Sequence, residues 1–505
     1  MFAFSTLTSR PATCLKHCQQ CPIDWKKHTT LVLAKRSRRG TLPLYLTAAA
    51  RSQLGNVELG STIKQGRRGL RSLRKLEIDE VIASVGKDAV FPDLNRPAEW
   101  GESAETGSGP FWETAANLAL QILLETIRNE ESPWIEYVQA VCENRNMYRD
   151  QPLLWNESIQ RAFRGTELNA RRTALREDLL LWLGDQRTSV PEDFTFSEHA
   201  FLRAVALVLD RGIWLSELKR WVLAPPLDEC RPTYVEPASV RFQCSRRRLF
   251  GGQTEVQAIC TRTLAAGTEL YRRSEAADEI EFFLFHGFLE TPASAGSALG
   301  ANERIGLVTL DFEISRMDRF CDDKIDVLEM QSMNANADDE VRSRSFMIST
   351  ADLSPEALNA DDNPVNAMVQ FLRLLCLGGS DVFLLEGLFR NDVWGFMALP
   401  VSEQNERTVC ELVLATCEER LQALDALTTL NTDALPADLQ RVAQICQDAE
   451  RSTLQEIMTF FRSEMSSLRE KEYYHERRLR ALDLYRPLDP DEIHDADATG
   501  FDQFM

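Results

Sequence analysis

Two β-leaning zones in this chain are held apart by a long stretch of helical rhythm, and that interruption limits what it can fold into. The first zone, residues 60–95, contains a turn at Gly66-Arg-Arg-Gly69 and a β-branched run, Val81-Ile-Ala-Ser-Val85. Helical spacing then takes over. Trp112, Ala115, Ala116, Ala119, Ile122, Leu123 and Ile127 recur every three or four positions. Pro133 opens a further helix through Trp134, Tyr137, Val138 and Val141, because proline suits a first helical turn. The block from Phe194 to Trp221 repeats the rhythm through Phe201, Val205, Val208 and Leu209. Strand signals return at Val240–Cys244 and Val256–Thr263, separated by Gly251-Gly252 as in a hairpin. Thr263 to Glu269 reads as a turn into another strand. Ile280–Phe288 is apolar enough for a short buried helix or a strand. Strand signals on both sides of one helical block predict an α+β fold.

The second half changes character. Ala293–Ala301 reads as a small-residue linker, and a poorly patterned stretch with Val308, Leu310 and Phe312 follows. Acidic loops run to Asp362, and helices dominate after Pro364. Ser402 is a good N-cap, with Glu403 and Glu406 in the first turn where the helix dipole favours negative charge. Cys410, Leu414, Cys417, Leu421 and Leu424 form one apolar stripe. A second long helix after Pro436 carries Leu439, Val442, Cys446, Ala449, Leu454, Ile457, Phe461 and Leu468, and its charged continuation to Arg480 reads as a solvated face. The layout expected is a leader at 1–50, an α+β domain at 51–290 with a helical insert at about 110–222, a mainly helical domain at 300–484, and an acidic disordered tail at 485–505.

Charge is unevenly spread. Residues 1–75 hold 15 Lys and Arg against Asp24 and Glu58, a balance of +13 in a chain whose net charge is −20. A basic, acid-poor, Ser/Thr-bearing start without a continuous apolar run predicts a transit peptide. The destination expected is the plastid, with the mitochondrion as the alternative; a basic disordered tail that stays attached is the plainer reading. The acidic body argues against nucleic acid as a partner, since phosphate contacts need Lys and Arg. No run of 18 apolar residues predicts a membrane span. Cys14, Cys18 and Cys21 have the spacing of an iron–sulfur site, but they lie inside the leader before any fold, so no metal site is predicted. Nine of the 12 cysteines are scattered through the body without paired spacing, as reduced thiols are.

Five short segments give the order a sharper meaning: Gly66-Arg-Arg-Gly69-Leu70, Arg164-Gly-Thr166, Asp210-Arg211, Gly267-Thr-Glu269 leading to His286-Gly287-Phe288, and Pro400 to Glu406. In this order they resemble the SET-domain methyltransferases of the Rubisco large-subunit lysine methyltransferase type, over roughly residues 60–470. The resemblance implies a β-rich SET domain with a helical insert, then an all-helical substrate-binding domain that holds a protein substrate or partner. It also implies transfer of a methyl group from S-adenosylmethionine to a lysine amine presented in line, about 3 Å away. Carried over by position, Gly69, Leu70, Arg211 and His286 become candidate cofactor-binding residues, and Tyr271 becomes the candidate catalytic residue that orients the amine.

The sequence departs from the family at several of these points. The family's Gly-x-Gly turn is Gly66-Arg-Arg-Gly69 here, and its Asn-His pair is Arg231-Pro232. Proline donates no hydrogen bond, and an arginine side chain accepts none. Ser274 stands where an ungapped match puts the catalytic tyrosine, and His286 replaces the tyrosine before Gly-Phe. Two functions follow as alternatives. One is a protein-lysine methyltransferase for an organellar protein; the other is a pseudoenzyme, an inactive SET-like scaffold without cofactor that binds a protein partner, alone or within an organellar complex.

Overall fold

The computed structural model describes residues 56–59, 69–86, 89–91, 111–128, 134, 137, 151–186, 196–234, 237–246, 254–290, 306–332, 342–360, 362–386, 392–428 and 435–484. The leader with its three cysteines, Gly66 to Arg68, Gly251-Gly252, the stretch from 293 to 301 and the acidic tail lie outside the described residues.

One sheet joins strands from both sides of the helical block. Strand β1 (Val57–Leu59) pairs antiparallel with β2 (Leu70–Ser72). Strand β3 (Val81–Gly86) stands at one edge of the main sheet. After the insert come a short antiparallel pair, β4 (Ile213–Leu215) and β5 (Arg220–Val222), and then β6 (Arg231–Thr233), β7 (Val240–Arg246), β8 (Thr254–Cys260) and β9 (Tyr271–Arg273). The five-stranded sheet runs β3-β8-β7-β9-β6. Ser84 of β3 sits opposite Gln257 of β8, and Gln257 opposite Gln243 of β7, both antiparallel. Every residue of β8 but Gln257 is buried, as a central strand requires. Strand β9 departs from the antiparallel pattern, since it runs parallel to both β7 and β6.

The insert packs helix on helix. Helix α1 (Phe111–Arg128) lies along α4 (Glu198–Arg211), with α2 (Glu157–Ala162) and α3 (Glu167–Gln186) beside them. Ala115, Ala116, Ala119 and Ile122 are fully buried, so small residues let α1 approach α4 closely. Helix α4 is buried from Leu207 through to Asp210 and Arg211, which carries two charged side chains into the interior. The helical rhythm read up to Trp221 overruns the real helix. The chain turns at Gly212, whose N–H closes on the Val208 carbonyl at 2.7 Å. A Cβ at Gly212 would lie 2.4 Å from that carbonyl and 2.7 Å from the Trp221 ring. The residues beyond it form β4 and β5.

The apolar run after 279 is helix α5 (Glu279–His286). Its capping settles the choice: Asp278 accepts from the Glu281 N–H at 2.8 Å, and Gly287 closes the last turn at φ +73°.

The C-terminal half opens with strands rather than irregular chain. Strands β10 (Leu307–Glu313) and β11 (Ser343–Ser349) pair antiparallel, with Val308, Leu310 and Phe312 facing inward in strict alternation. Helices follow: α6 (Cys321–Ser332) between the strands, then α7 (Pro364–Leu375), α8 (Glu403–Thr428), α9 (Ala437–Ser466) and α10 (Tyr474–Ala481). Helices α8 and α9 pack along one another. Leu454, Ile457 and Phe461 of α9 join the core of this half, while Leu439, Ala443 and Cys446 join the core of the insert, so one helix serves both. Eight described cysteines are free thiols. Burial pushes those of Cys376 and Cys417 up to about 12, which keeps them protonated and inert. No single described helix is long and apolar enough to cross a membrane.

Candidate active site

The parallel pairing of β6 with β9 organises the site. It sets Arg231 beside Tyr271, Pro232 beside Arg272, and Thr233 beside Arg273. Alternation along a strand then divides the side chains between two faces.

Tyr271 takes one face. Its hydroxyl donates to Glu269 Oε2 at 3.2 Å, and Arg231 Nε lies 2.6 Å from Glu269 Oε1 in an ion pair. Burial first, and then the Glu269 carboxylate, push the Tyr271 phenol up, so it keeps its proton at neutral pH. The pair rests against the backbone of Gly69, at φ +70°, where a Cβ would come within 2.6 Å of Glu269 Oε1. Leu70 is buried in the sheet core and accepts from the Leu270 N–H at 2.8 Å.

The opposite face meets the end of α4. Arg272 Nη2 donates to the Asp210 carbonyl at 2.9 Å. Ser274 follows on the same side, its Oγ 2.9 Å from His286 Nε2. His286 Nδ1 lies 3.1 Å from Asp210 Oδ1. Arg211, the next residue of α4, is 2.7 Å from Glu229 Oε1. Tyr137 of the insert donates to Asp228 Oδ2, tying the insert to the segment before β6.

The structure therefore brings Gly69 and Tyr271 to one side of β9, and Arg211 and His286 to the other through Asp210. It does not bring Tyr271 to His286. Sequence reasoning did not single out Asp210, Glu229 or Arg272 as site residues. For Asp210 the available signal was chemical: a charged residue directly after the apolar run Ala204 to Leu209 of a buried helix. A cleft of about 440 Å³ opens elsewhere, between α2, α3 and α4, and none of the sequence-predicted site residues lines it. Among the described residues, no group of His, Cys, Asp and Glu is placed to hold a metal ion.

Residues 315–482 match the family model of the Rubisco LSMT substrate-binding domain. A crystal structure of the LSMT SET domain bound to lysine and AdoHcy superposes with a TM-score of 0.67 at 24% identity, covering 89% of this chain and 96% of that one. The chain has a SET-domain fold and resembles the Rubisco large-subunit methyltransferases. The structure of Rubisco LSMT bound to AdoMet gives a TM-score of 0.62 at 23% identity, again over 89% of this chain and 97% of that one. In sequence, the chloroplastic Rubisco large-subunit N-methyltransferase of Nicotiana tabacum is 26% identical over 82% of this chain and 80% of its own length. The chloroplastic fructose-bisphosphate aldolase-lysine N-methyltransferase of Arabidopsis thaliana is also 26% identical, over 70% of each chain. These relatives are protein-lysine N-methyltransferases by name, and their solved counterparts carry the methyl donor or its demethylated product.

Proposed function

We propose that this chain is an S-adenosylmethionine-dependent protein-lysine N-methyltransferase that acts on a plastid protein. One observation carries the reading. The Gly69 turn and the Arg231–Glu269 pair on one side, and the Arg211–Glu229 pair on the other, flank the start of β6 beside β9, where the resemblance puts the methyl donor. The relatives' names support the class of substrate, and their chloroplastic location together with the basic leader supports the plastid.

The residues present fit the donor chemically. S-adenosylmethionine carries an amino-acid carboxylate, an ammonium and a sulfonium, so its pocket needs both signs of charge. Arg211 and Arg231 would hold the carboxylate, Glu229 and Glu269 would face the cationic groups, and Gly69 leaves the turn free of a Cβ. When bound, the donor supplies an electrophilic methyl carbon. The protein's part is to position an uncharged amine, exclude water and accept a proton. The helices from α7 to α9 would present the protein substrate.

Titrating the full chain with S-adenosylmethionine by calorimetry tests this reading. Binding at micromolar concentration is expected, followed by label transfer to Rubisco large subunit, aldolase or a stromal protein. No heat at millimolar ligand would remove the activity and leave the partner-binding scaffold.

A further inference from the structure

We propose that Ser274, His286 and Asp210 form a proton relay at the methyl-acceptor position, so that this chain deprotonates its substrate amine with its own base. The proposal rests on the methyl-transfer reading and adds a step that the tyrosines expected at those positions would not supply.

The geometry has the parts a relay needs: a hydroxyl on a base, and the base on an orienting carboxylate. Asp210 Oδ1 at 3.1 Å accepts from Nδ1, which leaves the Nε2 lone pair facing Ser274 Oγ at 2.9 Å. The Ser274 oxygen already accepts from the Ala276 N–H at 3.2 Å, so its own hydrogen is directed to the imidazole. Three aromatic rings, Phe282, Phe285 and Phe288, surround His286, and its side chain is 1% exposed. The charged groups that face it include the Asp210 carboxylate from α4, Arg272 from β9 on the Asp210 carbonyl, and Arg211 on Glu229. The aromatic surround strengthens the Asp210 carboxylate as a partner for an imidazolium.

The step balances. An incoming ammonium gives a proton to Ser274 Oγ as Ser274 passes its own proton to Nε2, and His286 becomes an imidazolium held by Asp210. The freed amine lone pair forms the N–C bond while the donor's S–C electron pair stays on sulfur as a thioether. The same three residue types also build nucleophilic serine sites, but the Ser274 N–H is spent on the Thr233 carbonyl at 2.9 Å and cannot serve an oxyanion. Ser274 is therefore the group that would touch substrate, His286 takes the proton through it, and Asp210 is a positioning residue.

The test uses the full chain as wild type, H286F, S274A and D210N. Calorimetry with S-adenosylmethionine decides the underlying reading. Wild type should bind it, and the rate of each variant is then read at its own saturating donor concentration; a wild type that does not bind overturns the methyl-transfer reading and the relay together. Label transfer to Rubisco large subunit, aldolase and stromal extract, measured from pH 6 to 10, decides the relay. H286F should lose about 10²–10⁴-fold at neutral pH, with the acid limb moved upward by a unit or more. D210N should lie between wild type and H286F. Donor binding with an H286F rate and pH profile unchanged would overturn the relay alone. Carbon-13 spectra of the imidazole carbons, with His286 assigned from H286F, give a readout without turnover. The His286 signals should change with pH, and D210N should alter that dependence. His286 signals that ignore pH overturn the relay, as does covalent capture of Ser274 by a fluorophosphonate.

Discussion

At the scale of single residues, the contacts that shape the candidate site are long-range. The contact between His286 and Asp210 spans 76 positions and leaves no periodic trace, so only the fold discloses it. Tyr271 attracted attention as the nearest tyrosine after Gly267-Thr-Glu269, yet one register step along a strand reverses the face, and its hydroxyl goes to Glu269. Gly69 can be tested directly. Its φ of +70° costs a side-chain-bearing residue about 1–2 kcal/mol, and the new methyl would press on Glu269 Oε1. G69A is therefore expected to lower the urea midpoint and weaken S-adenosylmethionine binding by tenfold or more in calorimetry. An unchanged affinity would separate the turn from the donor site.

Elements show where local pattern yields to context. The rhythm of α4 continues on paper beyond Gly212, but a Cβ at 212 would meet the Val208 carbonyl at 2.4 Å, a backbone atom with little freedom to yield. G212A should destabilise by about 2–4 kcal/mol, read from denaturant unfolding, because it overpacks the helix end against Trp221. Strand β10 was legible in principle, since Val308, Leu310 and Phe312 alternate; its partner β11 lies beyond a helix, so no hairpin signal marked the pair. The opening of α8 was read as an N-cap with acidic residues near the dipole. Ser402 does accept from the Asn405 N–H at 3.1 Å, but Glu406 does more than complement a dipole. It is buried and grips Arg373 of α7 with both oxygens, at 2.7 and 3.0 Å. E406A strands a buried guanidinium and should cost about 3–5 kcal/mol, whereas the double variant R373M/E406L should recover most of that loss. Equal losses in the single and double variants would mean that packing, not charge, governs this join.

The whole molecule is held together by groups that no segment could announce. Glu450 lies on α9 among the residues shared by the two halves, and its Oε1 accepts from the Glu167 N–H at 2.7 Å, capping α3 from across the interface. Glu167 in turn accepts from Thr309 N and Oγ1 on β10, at 3.2 and 2.7 Å. Burial pushes the Glu450 carboxyl up to about 8, against the lowering effect of the Glu167 N–H and Arg420. The sign follows from where protons sit. Between the ordinary value of 4.5 and about 8, the folded protein holds a proton that the unfolded chain releases, so stability is greatest at the acid end and falls as pH rises through that window. Each unit of the window corresponds to about 1.4 kcal/mol for a single group. E450Q keeps an acceptor for the Glu167 N–H and cannot ionise. Urea unfolding from pH 5 to 9 should therefore show wild type losing stability relative to E450Q as pH rises, with the variant the more stable protein above pH 8. Parallel curves would mean that Glu450 stays ionised at this interface and that Arg420, 3.8 Å away, neutralises it.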